Sequence, residues 1–211
     1  MTALLAARLR ESTRSLHRLA ERSGAVRALL EGVLPKAGYA LLLRNLHPVY
    51  CALEEAAEGL PKNSPVVRFV PSVLHRRQAI VRDLAAILGT DWADRLAVLP
   101  EAVSYADRVT EAARGTGLPL IAHAYVRYLG DLSGGQLIRG RLQSSLALSP
   151  AELSAVEFPG IRDVPLFRDE FRASLDALRV TPLEVEDIVR EAQDSFRLNI
   201  ALSDAVWRLG S

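Results

Sequence analysis

Cysteine is nearly absent from this chain: Cys51 stands alone among 211 residues. A single thiol excludes an internal disulfide and a cysteine-built metal site, and it fits a reducing cytoplasm. Long apolar runs are also missing, and no segment approaches the roughly 20 apolar residues that cross a bilayer. The N-terminus carries no basic stretch ahead of a long apolar run, and the chain ends at Ser211 with no hydrophobic tail, so neither a signal peptide nor a membrane anchor is expected. Charge of one sign is lacking too. A formal net charge of +1 offers no global field for nucleic acid. Lysine is confined to Lys36 and Lys62, and arginine carries the rest of the positive charge. Absent as well are a Glu-x-x-His pair, a zinc-type His-Glu-x-x-His, a nucleophile elbow and a phosphate loop, which argues against a di-iron bundle, a metallopeptidase, an α/β-hydrolase and an NTPase. What remains is a chain that is 49% apolar. It is too apolar for disorder, and its length suits one domain, 1–211, with a full core.

The periodicity is helical almost throughout, with no alternating strand pattern and no internal repeat. Leu5, Leu9, Leu16 and Ala20 mark one face of a first helix that stops near Gly24. Pro35 opens a second, with Tyr39, Leu42, Leu43, Leu46, Tyr50 and Leu53 inside and Gly59 and Pro61 at its end. After a polar loop over 61–71, helices are expected over 72–88 and 91–114, parted at Gly89-Thr90. Pro119 starts a glycine-bearing helix to about Ser145, and Ser149-Pro150-Ala151-Glu152 caps a short one. A loop over 159–165, a helix over 166–179 and a last helix from the Thr181-Pro182-Leu183-Glu184 cap to about Leu209 complete an all-α reading.

Three segments carry residues suited to chemistry. Arg10, Arg14, His17 and Glu21, spaced 4, 3 and 4, form one stripe on the first helix. A histidine at that margin suits a metal, Glu21 suits the ring's other nitrogen, and the arginines suit an anion. The alternative is a half-buried histidine beside solvated arginines. The glycine helix holds Gly130, Gly134 and Gly135 within six residues, each costing roughly 1 kcal/mol against alanine. Gly130 and Gly134 flatten one face, Asp131 lies beside them, and Arg127 sits four residues before Asp131. Close packing of helices through glycine, or a turn at Ser133-Gly134-Gly135, would explain the glycines but not the aspartate. Phe167, Arg168, Phe171 and Arg172 repeat an aromatic–arginine pair at i, i+4, fit either for an aromatic anion or for a core edge with snorkelling arginines. His47 and His75 lack partners at metal-ligand spacing, and His123 reads as a packed or surface histidine.

Together these residues resemble the heme oxygenases, specifically the soluble bacterial type that produces biliverdin. The run Ala122-His-Ala-Tyr-Val-Arg-Tyr-Leu-Gly-Asp-Leu-Ser-Gly-Gly-Gln136 is similar to that family's distal-helix signature. Leu16-His17-x-x-Ala20-Glu21 is similar to its proximal helix, and Tyr50-x-Ala52-Leu53-Glu54-Glu55, Phe167-Arg168-x-x-Phe171-Arg172 and Phe196-x-Leu198-Asn199-Ile200 follow in the family's order. The resemblance spans about residues 8–208 and implies a multi-helix bundle with heme b, both cofactor and substrate, between proximal and distal helices. It implies His17 as the axial iron ligand, backed by Glu21. Gly130, Gly134 and Gly135 would lie close over the heme. Asp131 would hold a water beside bound oxygen, in a polar network with Tyr50, Arg127 and Asn199. Arg10, Arg14, Arg168 and Arg172 would hold the propionates, with Tyr125 nearby and Phe196 on the macrocycle. The implied reaction uses O2 and electrons from a ferredoxin, flavodoxin or reductase to open heme at a meso carbon, yielding biliverdin, carbon monoxide and ferrous iron.

Three other readings stand beside it, one of them a purely structural helical domain, which leaves the combined motifs unexplained. A heme-delivery protein would need the proximal stripe and the arginines, but no carboxylate on a glycine-cleared face. A thiaminase-like hydrolase would need Cys51 as nucleophile, and Cys51 sits on an apolar helix beside Tyr50.

Overall fold

The computed structural model describes residues 4–210. Met1 to Ala3, the start of the N-terminal stretch considered above, and Ser211 lie outside the described residues. Among the described residues there is no strand. The chain runs as α1 (Leu5–Glu21), α2 (Gly24–Glu31), α3 (Lys36–Glu58), α4 (Arg77–Leu88), α5 (Trp92–Arg95), α6 (Pro100–Ala112), α7 (Leu120–Leu146), α8 (Val164–Asp176) and α9 (Pro182–Gly210). Short 3-10 turns lie at Val67–Phe69, Ser72–Leu74, Pro150–Glu152 and Ser154–Val156.

The long helix α9 is the central strut. It packs against α1, α2, α3, α6 and α7, while α3 packs against α6 and α4. Burial follows the apolar periodicity: Leu9 and Leu53 are fully enclosed, as are Tyr105, Tyr128 and Ile188. Helix α1 packs on α9, α8 and α2 and has at most a marginal contact with α7. The helices that carry His17 and Asp131 therefore stand apart, with α9 beneath both.

Five boundaries differ from the sequence reading: the helix expected over 72–88 is a 3-10 turn at Ser72–Leu74 and then α4 from Arg77, and the other four each have a local reason. Gly24 does not simply end α1; it opens α2, which the periodicity left unseen. Its backbone lies so close to α9 that a Cβ there would fall 2.2 Å from the Ser203 carbonyl oxygen, and its φ is +39°, a combination only glycine tolerates. Ser203 completes the joint: its hydroxyl donates to the Ser23 carbonyl and accepts from the Val26 N–H, both at 3.0 Å. The helix expected over 91–114 is two, α5 and α6, because Pro100 starts a helix rather than continuing one. The buried Asn45 compensates at that break, its Oδ1 accepting the Leu99 N–H at 2.7 Å. The Ser149 cap begins a 3-10 turn, not an α-helix, although its capping box with Glu152 forms as expected. Helix α8 starts at Val164, inside the expected loop, with Asp163 accepting the Leu166 N–H at 2.9 Å and Pro165 in the first turn. At Thr181 the predicted cap forms in full: its hydroxyl meets Glu184 at 2.9 Å and accepts the Glu184 N–H at 3.3 Å.

Candidate active site

Helix α7 settles the status of the glycines. It is continuous from Leu120 to Leu146, so there is no turn at Ser133. A Cβ added at Gly130 would meet nothing within 4 Å, and at Gly134 it would touch only the tip of Ile138, at 3.4 Å, on the same helix. Neither glycine packs against another helix. They leave a flat stretch of backbone facing open space. Gly135 differs, and its expected place on that face is corrected. It is buried, and a Cβ there would crowd the Val156 carbonyl oxygen at 3.3 Å, so Gly135 seats α7 against the 154–156 turn.

At the edge of the flat stretch Asp131 sits in a four-residue polar cluster drawn from three helices. The Tyr50 hydroxyl on α3 donates a short hydrogen bond to Asp131 Oδ2. Arg127, one turn before Asp131, donates to the Tyr50 oxygen from Nη2 at 2.8 Å and Nε at 3.2 Å, and from Nη2 to Asp131 Oδ1 at 3.3 Å. Its third nitrogen, Nη1, donates to Asn199 Oδ1 on α9 at 2.7 Å. Its guanidinium also lies 5.0 Å from the Tyr50 ring centre, a cation–π distance. All four polar residues expected to act together are thus brought together.

The electrostatics follow from this packing. Burial pushes the Asp131 carboxyl above its usual pKa, although Arg127, the Tyr50 hydrogen bond and the more distant Arg76 pull the other way. Burial likewise pushes Tyr50 well above the normal phenol range. For Arg127 burial opposes the charge, but Tyr50 and Asp131 outweigh it and hold the pKa above the usual arginine value. Tyr50 has one hydrogen and gives it to Asp131, while Arg127 occupies its lone pairs. Asp131 Oδ1, held only by the longer contact to Arg127, is the oxygen with capacity left, and its side chain is 21% exposed.

His17 on α1 presents a half-exposed imidazole. Its Nδ1 lies 3.6 Å from Glu21 Oε1, and its ring stands edge-on to Phe196 of α9, 5.9 Å between centres. The stripe of Arg10, Arg14, His17 and Glu21 is exposed along α1. Arg14 reaches back to Glu11 at 3.6 Å. Tyr125 of α7 is half-buried; burial raises its pKa, opposed by a hydrogen bond with Thr13 and by the positive charges of Arg172 and Arg10. That places Arg10, Tyr125 and Arg172 in one neighbourhood, although they come from α1, α7 and α8. The aromatic–arginine repeat on α8 divides its tasks. Phe171 goes to the core, edge-on to Phe69 at 5.2 Å. Arg172 is tied to Asp169 at 2.7 Å. Arg168 keeps a buried Nε with no hydrogen-bond partner, an orphaned donor that suits an anion.

The sequence reading missed a second polar cluster behind the first. His123, fully buried, has Nε2 at 2.8 Å from Glu191 Oε1 and Nδ1 at 3.1 Å from Ser195 Oγ. Ser195 Oγ lies 2.7 Å from the Tyr105 hydroxyl. The signal for it was present: Glu191, Ser195 and Asn199 repeat at i, i+4, i+8 on α9, as His123, Arg127 and Asp131 do on α7. Cys51 is half-buried with Sγ 3.5 Å from His47 Nε2. Burial, Glu55 and Glu54 push its thiol pKa upward, the wrong direction for a nucleophile.

Comparison with known proteins agrees with the geometry. The heme oxygenase family model matches residues 3–205. A heme oxygenase of Pyropia yezoensis is 37% identical over 204 residues, which is 96% of this chain and 85% of that protein. The crystal structure of heme oxygenase-1 from the cyanobacterium Synechocystis in complex with heme superposes with a TM-score of 0.91 at 33% identity, covering 96% of this chain and 92% of that one. The structure of heme oxygenase from Leptospira interrogans gives 0.89 at 33% identity, over 96% of this chain and 100% of the other.

Proposed function

This chain belongs to the heme oxygenase family, and from that premise we propose the part each of its residues plays. The protein is a heme oxygenase: heme is its cofactor and its substrate, cleaved to biliverdin, carbon monoxide and ferrous iron. Its own residues fit the group. The flat face at Gly130 has open space where a side chain would stand, His17 is half-exposed opposite it, and the buried Arg168 Nε lacks an acceptor. Bound heme supplies the iron at which O2 is activated and the carbon edge that is opened.

His17 would hold the heme iron through Nε2, since Nδ1 faces Glu21. That carboxylate, 3.6 Å from Nδ1, turns the ring so that Nε2 is left for the metal. Phe196 packs on the imidazole and on the macrocycle. Gly130 and Gly134 let the backbone of α7 approach the face opposite His17 and exclude bulk water from it. Arg10, Arg14, Arg168 and Arg172 take the propionates, with Tyr125 between the α1 and α8 pairs. Arginine gives each carboxylate a planar fork of donors, which holds the plane of the substrate as well as its charge.

The observation that carries the catalytic reading is the Asp131 cluster. Oδ2 is committed to the Tyr50 hydroxyl, and Oδ1, held only by the longer contact to Arg127, has capacity left to hold a water and pass a proton at the open face. Tyr50, Arg127 and Asn199 keep the carboxylate from turning. A protein that only carried heme would have no task for this carboxylate. The electrons come from a separate donor, a ferredoxin, flavodoxin or reductase. No helix among the described residues is long and apolar enough to cross a membrane.

The test of the proximal assignment is optical. Wild-type protein with one equivalent of hemin should show a histidine-ligated Soret band that decays to bilin absorption in air with ascorbate and catalase. His17→Ala should lose the histidine-ligated band, and an unchanged spectrum would remove His17 from the iron.

A further inference from the structure

Two helical stripes face each other behind the site. His123, Arg127 and Asp131 rise along α7 at i, i+4, i+8, and Glu191, Ser195 and Asn199 rise along α9 at the same spacing. Two successive cross-links join them. The lower is His123 with Glu191 at 2.8 Å and with Ser195 at 3.1 Å, and the upper is Arg127 with Asn199 at 2.7 Å. The lower cross-link is enclosed: His123 is 0% exposed and Glu191 only 3%. It is anchored from α6 as well, at two points. Arg108 of α6 donates to Glu191 through Nε at 2.9 Å and also through Nη2, and Tyr105 of α6 meets Ser195 at 2.7 Å.

This lower cross-link is costly to bury and does not touch the open face. Enclosing an imidazole, a carboxylate and a hydroxyl is favourable only when each is fully paired, and then it specifies one arrangement of the helices. Here the pairing is complete. Glu191 stays ionised: burial pulls its pKa up, but hydrogen bonds from His123 and Arg108 outweigh that and hold it below the usual value. A carboxylate can only accept, so His123 carries a hydrogen on Nε2. The ring then cannot flip without losing both partners.

We propose that His123, Glu191 and Ser195 are positioning residues. Their cross-link sets the rotation and height of α7 on α9 one turn before Arg127, and so fixes Arg127 and Asp131 against the open face. The need for such a device lies in α7 itself. Gly130, Gly134 and Gly135 weaken the helix on either side of Asp131, and the backbone of α1 makes at most a marginal approach to it. Turning α7 by one residue's worth, roughly 100°, would take Asp131 off Tyr50. A buried polar latch resists that turn where apolar packing alone would tolerate it. This inference rests on the roles proposed above for Arg127 and Asp131, and the test separates the two.

The test uses the full chain without heme and follows exchange of the Arg127 Nε–H with solvent by nitrogen-15 NMR. His123→Phe removes both hydrogen bonds and should speed that exchange about tenfold or more, because local opening then exposes Arg127. His123→Gln can still donate to Glu191 and accept from Ser195, and should restore most of the protection. Ser195→Ala, a small change certain to be better tolerated, should speed exchange in the same direction. Arg127 exchange unchanged in His123→Phe or Ser195→Ala, even with a lowered melting temperature, would overturn the proposal and leave the cross-link as packing alone. Should His123→Phe fail to fold, Ser195→Ala decides the matter by the same reading. Faster exchange with normal bilin formation in the heme-loaded variants would uphold the latch and instead overturn the role given to Arg127.

Discussion

Asp131 is buried and ionisable, and its environment works against its charge. Burial raises its pKa more than Arg127 and the Tyr50 hydroxyl lower it, so the folded chain holds this proton more tightly than the unfolded one. The sign follows from linkage. As pH rises from the ordinary aspartate value through the raised folded value, ionising Asp131 removes stability, and above that window the loss is complete. Asp131→Asn keeps the shape and removes the charge. At neutral pH its melting temperature is expected to equal or exceed that of the wild type. Its rate of bilin formation should fall about 10²- to 10⁴-fold, the range of a lost proton-transfer group, while hemin still binds. A melting temperature lowered by more than about 4 °C, on the order of 1–2 kcal/mol for a chain this long, would mean that the Arg127 ion pair outweighs burial. This residue and its partners Arg127, Tyr50 and Asn199 were legible as a group only through the family resemblance. Spacing alone joined Arg127 to Asp131, since both lie on one helix. Tyr50 lies 81 residues from Asp131, and no local pattern marks such a pair.

Among the helices, α7 stores the clearest exchange of stability for function. Gly130 and Gly140 both have room for a Cβ, with nothing within 4 Å of it. They differ in what they face: Gly130 borders Asp131 on the open face, while Gly140 lies ten residues on, about 280° around the helix by its pitch. Alanine at either position should stabilise the heme-free protein by up to about 1 kcal/mol. Gly130→Ala should also weaken hemin binding or slow its degradation, since the added methyl occupies the face the substrate needs. Gly140→Ala should leave both near wild type. Thermal melts and a hemin titration on the pair would check this, and equal hemin affinity and turnover in the two variants would sink the cradle. Gly135 makes the contrast. Its Cβ would press on the Val156 carbonyl oxygen, so it serves packing, a difference of one residue and a third of a turn that sequence spacing could not assign. The start of α9 was legible at its Thr181 cap, and the Ser149 cap was legible though it opens a 3-10 turn, while the Asp163 cap of α8 was missed. Helix ends were also misjudged at Pro100, where the compensating group is Asn45, and at Gly24, where it is Ser203; both sit far off in the chain.

On the scale of the whole molecule, α9 touches five other helices and gives them one core, so we propose that residues 4–210 unfold as a unit. The two tryptophans sit well placed to test this. Trp92 on α5 stacks edge-on with His47 at 5.7 Å and lies under Arg44, whereas Trp207 near the end of α9 lies by Arg27 of α2. Urea unfolding followed by fluorescence of Trp92→Phe, by fluorescence of Trp207→Phe and by far-ultraviolet circular dichroism should give coincident transitions. Separated midpoints for the two single-tryptophan proteins would divide the molecule. By itself the sequence determined the helical class, the absence of strands, the inward faces of the helices and the two stripes that carry His17 and Asp131. Periodicity, caps and glycine cost act over one or two turns, and the chain displays them directly. Only the tertiary structure decided which stripes face one another: the gap between α1 and α7, the meeting of Tyr50 and Asn199 on Arg127, the orphaned nitrogen of Arg168 and the buried joint of His123 with Glu191. Those depend on how α9 aligns helices from distant parts of the chain, and that alignment is set by mutual packing and by pairing of buried polar groups, neither of which is local to any stretch of sequence.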